Sequence, residues 1–168
     1  MAKGIKTSKR PRKAKLVATD PRNPAPSSEA VRRSMQGNRG KDTGPELLLR
    51  KSLWAVGVRG YRLHRRIEGV RPDLVFGKVK VAVFVQGCFW HRCPICRPRL
   101  PLRNRAFWMG KFSKNKSRDR RNQRVLRSAG WRVVVLWECQ LTDTRVVKVA
   151  TRIDYLTSSK IPRPHTRS

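Results

Sequence analysis

An α/β fold with one mixed β-sheet flanked by helices is predicted by three features of the chain. Two strongly apolar strand patterns, 79–85 and 131–137, stand on either side of a long helical pattern at 104–129. A short strand at 73–76 runs into the first of them through Gly77-Lys78, which reads as a hairpin. Amphipathic helical patterns lie near both ends of this region, giving the order helix, three strands, helix, strand, helix. Strands on both sides of a long helix fit a single sheet with helices on its faces.

The elements follow in order. Thr43 and Pro45 mark a helix start, Glu46 sits in the first turn and Gly57 is a stop. Leu49, Leu53 and Val56 share one face, so 45–56 reads as an amphipathic helix. Residues 61–65 alternate and read as a half-buried strand. Pro72 opens the strand at 73–76, and the apolar 79–85 is expected to be central. A cysteine-containing turn follows, then a loop with Pro94, Pro98 and Pro101. The helix at 104–129, in one piece or two, stops at Gly130. Its polar face carries Lys111, Lys114, Lys116, Arg118, Arg120 and Arg121. The second apolar strand leads to Glu138 and Cys139. Val146, Val149, Ala150, Ile153 and Leu156 then define a last amphipathic helix.

The 168 residues suit one domain with tails, and the formal net charge is +31, from 41 Lys and Arg against 10 Asp and Glu. Such an excess points to a polyanion, above all nucleic acid, with a general compositional bias toward Arg as the bland alternative. No apolar run is long enough for a transmembrane helix, and no apolar segment follows the basic N-terminus as a secretory signal would require. No membrane partner is therefore expected, and the expected compartment is cytoplasmic. Residues 1–41 hold twelve Lys or Arg against Asp20 and Glu29, with Pro21, Pro24 and Pro26 opposing helix. Residues 1–28 are expected to be disordered and 29–41 to order on a partner. This gives a basic arm at 1–31, a folded domain at 32–158 and a basic tail at 159–168.

Cys88, Cys93 and Cys96 are spaced C-x4-C-x2-C, and Cys139 follows the last strand. Four thiolates so placed suit a tetrahedral structural Zn²⁺; buried thiols and a redox role are the alternatives. Acidic residues are rare, so Asp73 at a strand start is a candidate Mg²⁺ ligand or else a turn cap. Glu46 is a second candidate carboxylate or a plain first-turn glutamate. His91, between the cysteines, is a candidate general base or a residue of the zinc site, whereas His64 and His165 have no comparable context. Phe89, Trp90, Phe107 and Trp108 lie among Lys and Arg, placed either to stack on bases or to pack the core.

The run GCFWHRCP at 87–94, with RPDLVF at 71–76, VAVFV at 81–85, KDTGPE at 41–46, FWMGKFSKNKSRDRRN at 107–122 and GWRVVVLWEC at 130–139, resembles the Vsr-type very-short-patch-repair endonucleases. The resemblance covers roughly 32–142 and makes 32–158 a mismatch endonuclease domain. It implies a restriction-endonuclease-like fold and a Mg²⁺-dependent enzyme that nicks double-stranded DNA 5′ of the thymine in a T:G mismatch. By motif position it makes Asp73 the metal-binding aspartate, with Val85 contacting metal through its carbonyl. It makes His91 the activator of the attacking water and Glu46 a supporting glutamate. Phe89, Trp90 and Trp108 become a wedge entering from the major groove, with Met35 inserting from the opposite side. Lys111 and Lys114 complete the expected DNA contacts. Gln86 takes a catalytic position where family members carry His or Asp, Cys93 one where some carry His, and Asn38 replaces an apolar residue. A monomer is expected, with other repair proteins as further partners. Two alternatives stand beside this: a nuclease of the same fold with other specificity, or a catalytically weak zinc-containing binder of distorted DNA.

Overall fold

A computed structural model describes residues 41–142 and 145–158. The arm expected at 1–31, Met35, Asn38 and the tail at 159–168 lie outside the described residues. Among the described residues no helix is long and apolar enough to cross a membrane.

Helix α1 spans Gly44–Ala55 with Thr43 as N-cap and Pro45 in its first turn. The Glu46 carboxylate turns back to accept the Asp42 backbone N–H (3.1 Å) and the Thr43 hydroxyl (2.8 Å). A first-turn carboxylate facing the helix N-terminus is favourable in its own right, and here it is also buried. Leu49 and Leu53 are fully buried, while Val56 has become the partly exposed C-cap, so the apolar face ends one turn earlier than expected. Truncating Leu53 to Ala would cost about 2–5 kcal/mol.

Strand β1 is only Arg62–Leu63, and both residues are exposed. The half-buried strand expected at 61–65 is cut short because His64 adopts a left-handed conformation (φ 48°), which no strand can continue through. Tyr61 instead packs its ring on Phe76, with centroids 5.5 Å apart. Strand β2, Leu74–Phe76, connects to β3, Val81–Gln86, through a 3₁₀ turn at Gly77–Val79 and a left-handed Lys80. The hairpin is present, but its turn is wider than Gly77-Lys78 and absorbs Val79. Leu74 pairs with Val83 and Phe76 with Val81.

A short helix α2, Cys88–His91, follows β3 directly. Helix α3, Arg105–Ser128, is one unbroken helix of 24 residues, about 36 Å long. It returns the chain to β4, Arg132–Trp137, which lies parallel to β3 with Val81 opposite Arg132 and Gln86 opposite Trp137. After a 3₁₀ turn at Glu138–Gln140 comes α4, Val146–Thr157. The sheet order is β1-β2-β3-β4, antiparallel across the first three strands and parallel at the last pair. The expected mixed α/β sheet with flanking helices is therefore present.

Alternation along β3 divides the core. Val81 and Val83 face α1 and α4, joining Leu49, Leu53, Val146 and Ile153. Ala82 points the other way and meets Leu126 of α3. Strands β3 and β4 are thus covered on both sides, which explains their nearly continuous apolar sequences. Because they run parallel, their C-terminal ends open at the same edge.

Candidate active site

That shared edge is concave. A pocket of about 570 Å³ is lined by Glu46 from α1, Asp73 before β2, Val85 and Gln86 at the end of β3, and His91 from α2. Lys111 and Asp119 of α3 and Glu138 after β4 complete its rim. The sequence places these residues far apart, and the strand ends bring them together.

Asp73 is fixed through main chain and side chain. Its N–H donates to the Val83 carbonyl and its carbonyl accepts from the His64 N–H, both at 3.0 Å. Its carboxylate oxygen Oδ2 accepts the Val85 N–H at 2.7 Å. Burial pushes its pKa up to about 6; the Val85 hydrogen bond opposes that rise and the nearby Glu46 carboxylate adds to it. A carboxylate this poorly solvated gains from a cation beside it.

His91 closes α2, and its Nδ1 lies 2.5 Å from Oδ2 of Asp119. A carboxylate accepts rather than donates, so Nδ1 carries the proton and Nε2 is left as the basic nitrogen. Asp119 is a site residue that the sequence alone does not single out. A signal for it exists: it is the single acidic residue among the 24 of α3, surrounded by Arg118, Arg120 and Arg121.

His64 is a further residue whose surroundings the sequence does not announce. It has context after all, with Nε2 3.7 Å from Glu46 and 3.9 Å from Asp42, and Nδ1 4.0 Å from Asp73. The left-handed turn that ends β1 aims the ring at these carboxylates. Asp42, Glu46 and His64 offer ligand atoms within 4.8 Å of one another, a set able to hold a cation. Glu46 thus sits in the first turn of α1, bonded to Asp42 and Thr43, and also lines the pocket. Gln86 is buried on the pocket wall. Glu138 reaches across to accept the Cys88 N–H at 3.0 Å, tying the end of β4 to the start of α2.

The aromatic residues assemble beside the pocket. Phe89 packs edge-on against Trp90 (5.2 Å), Trp108 (5.3 Å) and Phe112 (5.3 Å). Phe107 adjoins Trp108, and the Lys111 ammonium lies 5.5 Å from the Trp90 ring. Asn115 holds the chain beneath through the Trp90 carbonyl at 2.9 Å. Phe89, Trp90 and Trp108 are half-buried: the rings pack on one another and keep part of their surface exposed as an apolar ridge. Lys111 lines the pocket, whereas Lys114 is exposed on the outer side of α3 and does not line it.

Behind the ridge the four cysteines converge, with all their sulfurs within 4.8 Å of one another. The Cys93 and Cys139 sulfurs are 3.8 Å apart. A tetrahedral ion with metal–sulfur bonds of about 2.3 Å needs sulfurs about 3.8 Å apart, so the spacing fits a metal and is far too long for a disulfide. Backbone N–H groups of Ile95 and Cys139 point at Cys93 (3.4 Å) and Cys88 (3.3 Å), as donors to thiolates would. Burial pushes the Cys88 thiol well above its ordinary range, so loading a cation must displace its proton.

Residues 27–96 match the family model described as DNA mismatch endonuclease Vsr. The type II nicking enzyme V.NaeI of Lentzea aerocolonigenes is 42% identical over 138 residues, covering 79% of this chain and 82% of that protein. The type II nicking enzyme V.XorIIP of Xanthomonas oryzae pv. oryzae is 38% identical over 126 residues, covering 75% and 92%. The DNA mismatch endonuclease Vsr of Escherichia coli K12 is 36% identical over 101 residues, covering 60% and 64%.

Proposed function

The chain belongs to the Vsr family of DNA endonucleases, and on that premise we propose that it nicks one strand of a duplex 5′ of the thymine in a T:G mismatch by Mg²⁺-dependent hydrolysis. The observation that carries this reading is the convergence of Asp73 and the His91–Asp119 pair in one pocket flanked by an aromatic ridge.

The oxygen donors fit a hard cation: Asp73 would hold Mg²⁺, with Val85 beside it and Glu46 in support. Mg²⁺ bound there would neutralise charge on the phosphate and lower the pKa of a nearby water. His91 takes the proton of the attacking water at Nε2, and Asp119 steadies the imidazolium that results. Lys111 offers an ammonium to the phosphate, and Gln86 offers an amide to the water. The four thiols would hold structural Zn²⁺, fixing α2 so that His91 and the ridge keep their places.

The ridge of Phe89, Trp90 and Trp108 supplies selectivity. Unstacking a base step costs on the order of a few kcal/mol, and less where the pair is already mismatched. The protein acts as a monomer on this reading, since one chain contains the pocket, the ridge and the thiol cluster.

Gln86 favours a second reading, a catalytically weak binder of distorted DNA, because an amide neither takes a proton as His does nor carries the charge of Asp. The deciding assay compares T:G, T:A and other mismatched duplexes with and without Mg²⁺. Nicking confined to T:G with Mg²⁺ is expected. Binding without any nick would establish the second reading, and nicking of T:A would establish a different specificity.

A further inference from the structure

Helix α3 has two flanks, and they differ in charge. The catalytic flank contributes Lys111, Asn115, Arg118, Asp119 and Asn122 to the pocket. The other flank and the loop after α2 enclose a groove of about 770 Å³, with Leu100, Met109 and Phe112 in its lining and Arg92, Lys116, Ser117, Arg120, Arg121 and Arg124 in its charged and polar part. Among the described residues, no carboxylate lines this groove. Among the described residues, none of these five cations forms an ion pair.

Lys116, Arg120 and Arg124 follow one another at four-residue spacing, so like charges are stacked along one stripe of the helix. The free protein bears that repulsion, and an anion in the groove would relieve it. Arg92 is already set in place: it donates to the Pro98 carbonyl at 2.6 Å and lies over the Phe112 ring at 5.1 Å. Planar guanidinium groups, an ammonium and a hydroxyl are a donor set suited to successive phosphates.

The placement of the groove identifies whose phosphates these are. Residues five apart, such as Asn115 and Arg120, are separated by roughly 140° around a helix. A helix is roughly 10–12 Å across, and the major groove of B-DNA is about 12 Å wide, so a helix seated there meets one backbone on each flank. If the cut phosphodiester occupies the Asp73 pocket on one flank, the backbone on the other flank belongs to the uncut strand.

We propose that the basic groove between α3 and the loop after α2 binds the phosphate backbone of the uncut strand. This rests on the nuclease reading of the Asp73 pocket. The two grooves then hold the two strands apart with the aromatic ridge between them.

The test is binding of a T:G duplex without Mg²⁺ across a salt series, for the wild type and for R120Q/R121Q/R124Q. Each neutralised phosphate adds about 0.9 to the slope of log K against log salt, so the variant's slope should be shallower by about 2.7. The corresponding triple Lys variant should keep the wild-type slope, because charge is retained. Duplexes with neutral methylphosphonate linkages in one strand locate the contact. Linkages in the uncut strand should weaken the wild type and barely change the Gln variant, while linkages in the cut strand should weaken both equally. An unchanged slope, as expected were the groove built for an acidic protein instead, would overturn the proposal, as would a reduced sensitivity that maps to the cut strand. Wild-type nicking with Mg²⁺ is read separately, so failure of the nuclease reading would show there and not in the binding series.

Discussion

On the proposed mechanism, stability and function pull in opposite directions at Asp73. Burial raises its pKa to about 6 from an ordinary carboxylate value of 3.8. A carboxyl with a raised folded-state pKa favours the fold most at pH below 3.8, and that contribution is lost as pH rises through about 6. The difference is worth at most about 3 kcal/mol, at 1.36 kcal/mol per unit. Asp73→Asn keeps an oxygen for the Val85 N–H and removes the buried charge. In Mg²⁺-free buffer at pH 7.5 it should melt at a higher temperature than the wild type, with the gap closing toward pH 4, and it should not nick DNA. Equal melting at pH 7.5 would show that the charge is not costly. Asp119 poses the complementary case. Asp119→Asn replaces the carboxylate with an amide that can donate to the His91 Nδ1 as well as accept from it and has no charge to steady the imidazolium, so the tautomer is no longer fixed and the nicking rate should fall by about 10²–10⁴-fold while duplex binding persists. A rate within threefold of wild type in single-turnover assays would remove Asp119 from the mechanism.

At the scale of elements, the site is an edge where β3, α2 and β4 meet, and on the proposed function a metal held by the four converging thiols would pin them. Cys88, Cys93 and Cys96 lie on or after α2, and Cys139 comes from the turn after β4. Cys139→Ala should therefore loosen α2 from β4, lower the thermal transition by several degrees and release bound metal, measurable by elemental analysis of the purified protein. Retention of a full metal equivalent would show that three thiols suffice. Much of this arrangement is legible in the sequence. Apolar runs and Gly punctuation locate β3, β4, α1, α3 and α4, and cysteine spacing locates the cluster. What the sequence hides is determined by distance. His64 ends β1 in a left-handed turn, and nothing in its neighbours announces the carboxylates it meets, Glu46 of α1 and Asp73 just before β2. Asp119 looks like one more surface charge until α3 is laid beside α2, 28 residues away along the chain. The ridge is only half legible, because spacing alone does not show that the rings pack on one another.

For the whole molecule, the proposed function assigns charge and selectivity to different parts. On that proposal the net charge of +31 drives association with any duplex, whereas the ridge and pocket would respond to one lesion. Residues 1–31 carry eight Lys or Arg against Asp20 and Glu29, and phosphate contacts from such a segment read no sequence. A chain beginning at residue 32 should therefore bind both T:G and T:A duplexes more weakly at low salt, with a shallower slope of log K against log salt for each. The ratio of the two affinities should stay within about twofold of the full chain's, because an arm that contacts only phosphates would meet the same ones in both complexes and its removal would weaken them alike. Fluorescence anisotropy on the two duplexes from 50 to 300 mM salt (roughly the range where counterion release dominates) gives both quantities at once. A discrimination ratio that collapses with the arm would mean that it touches the mismatch itself, and the division between a general polyanion arm and a lesion-reading domain would have to be redrawn.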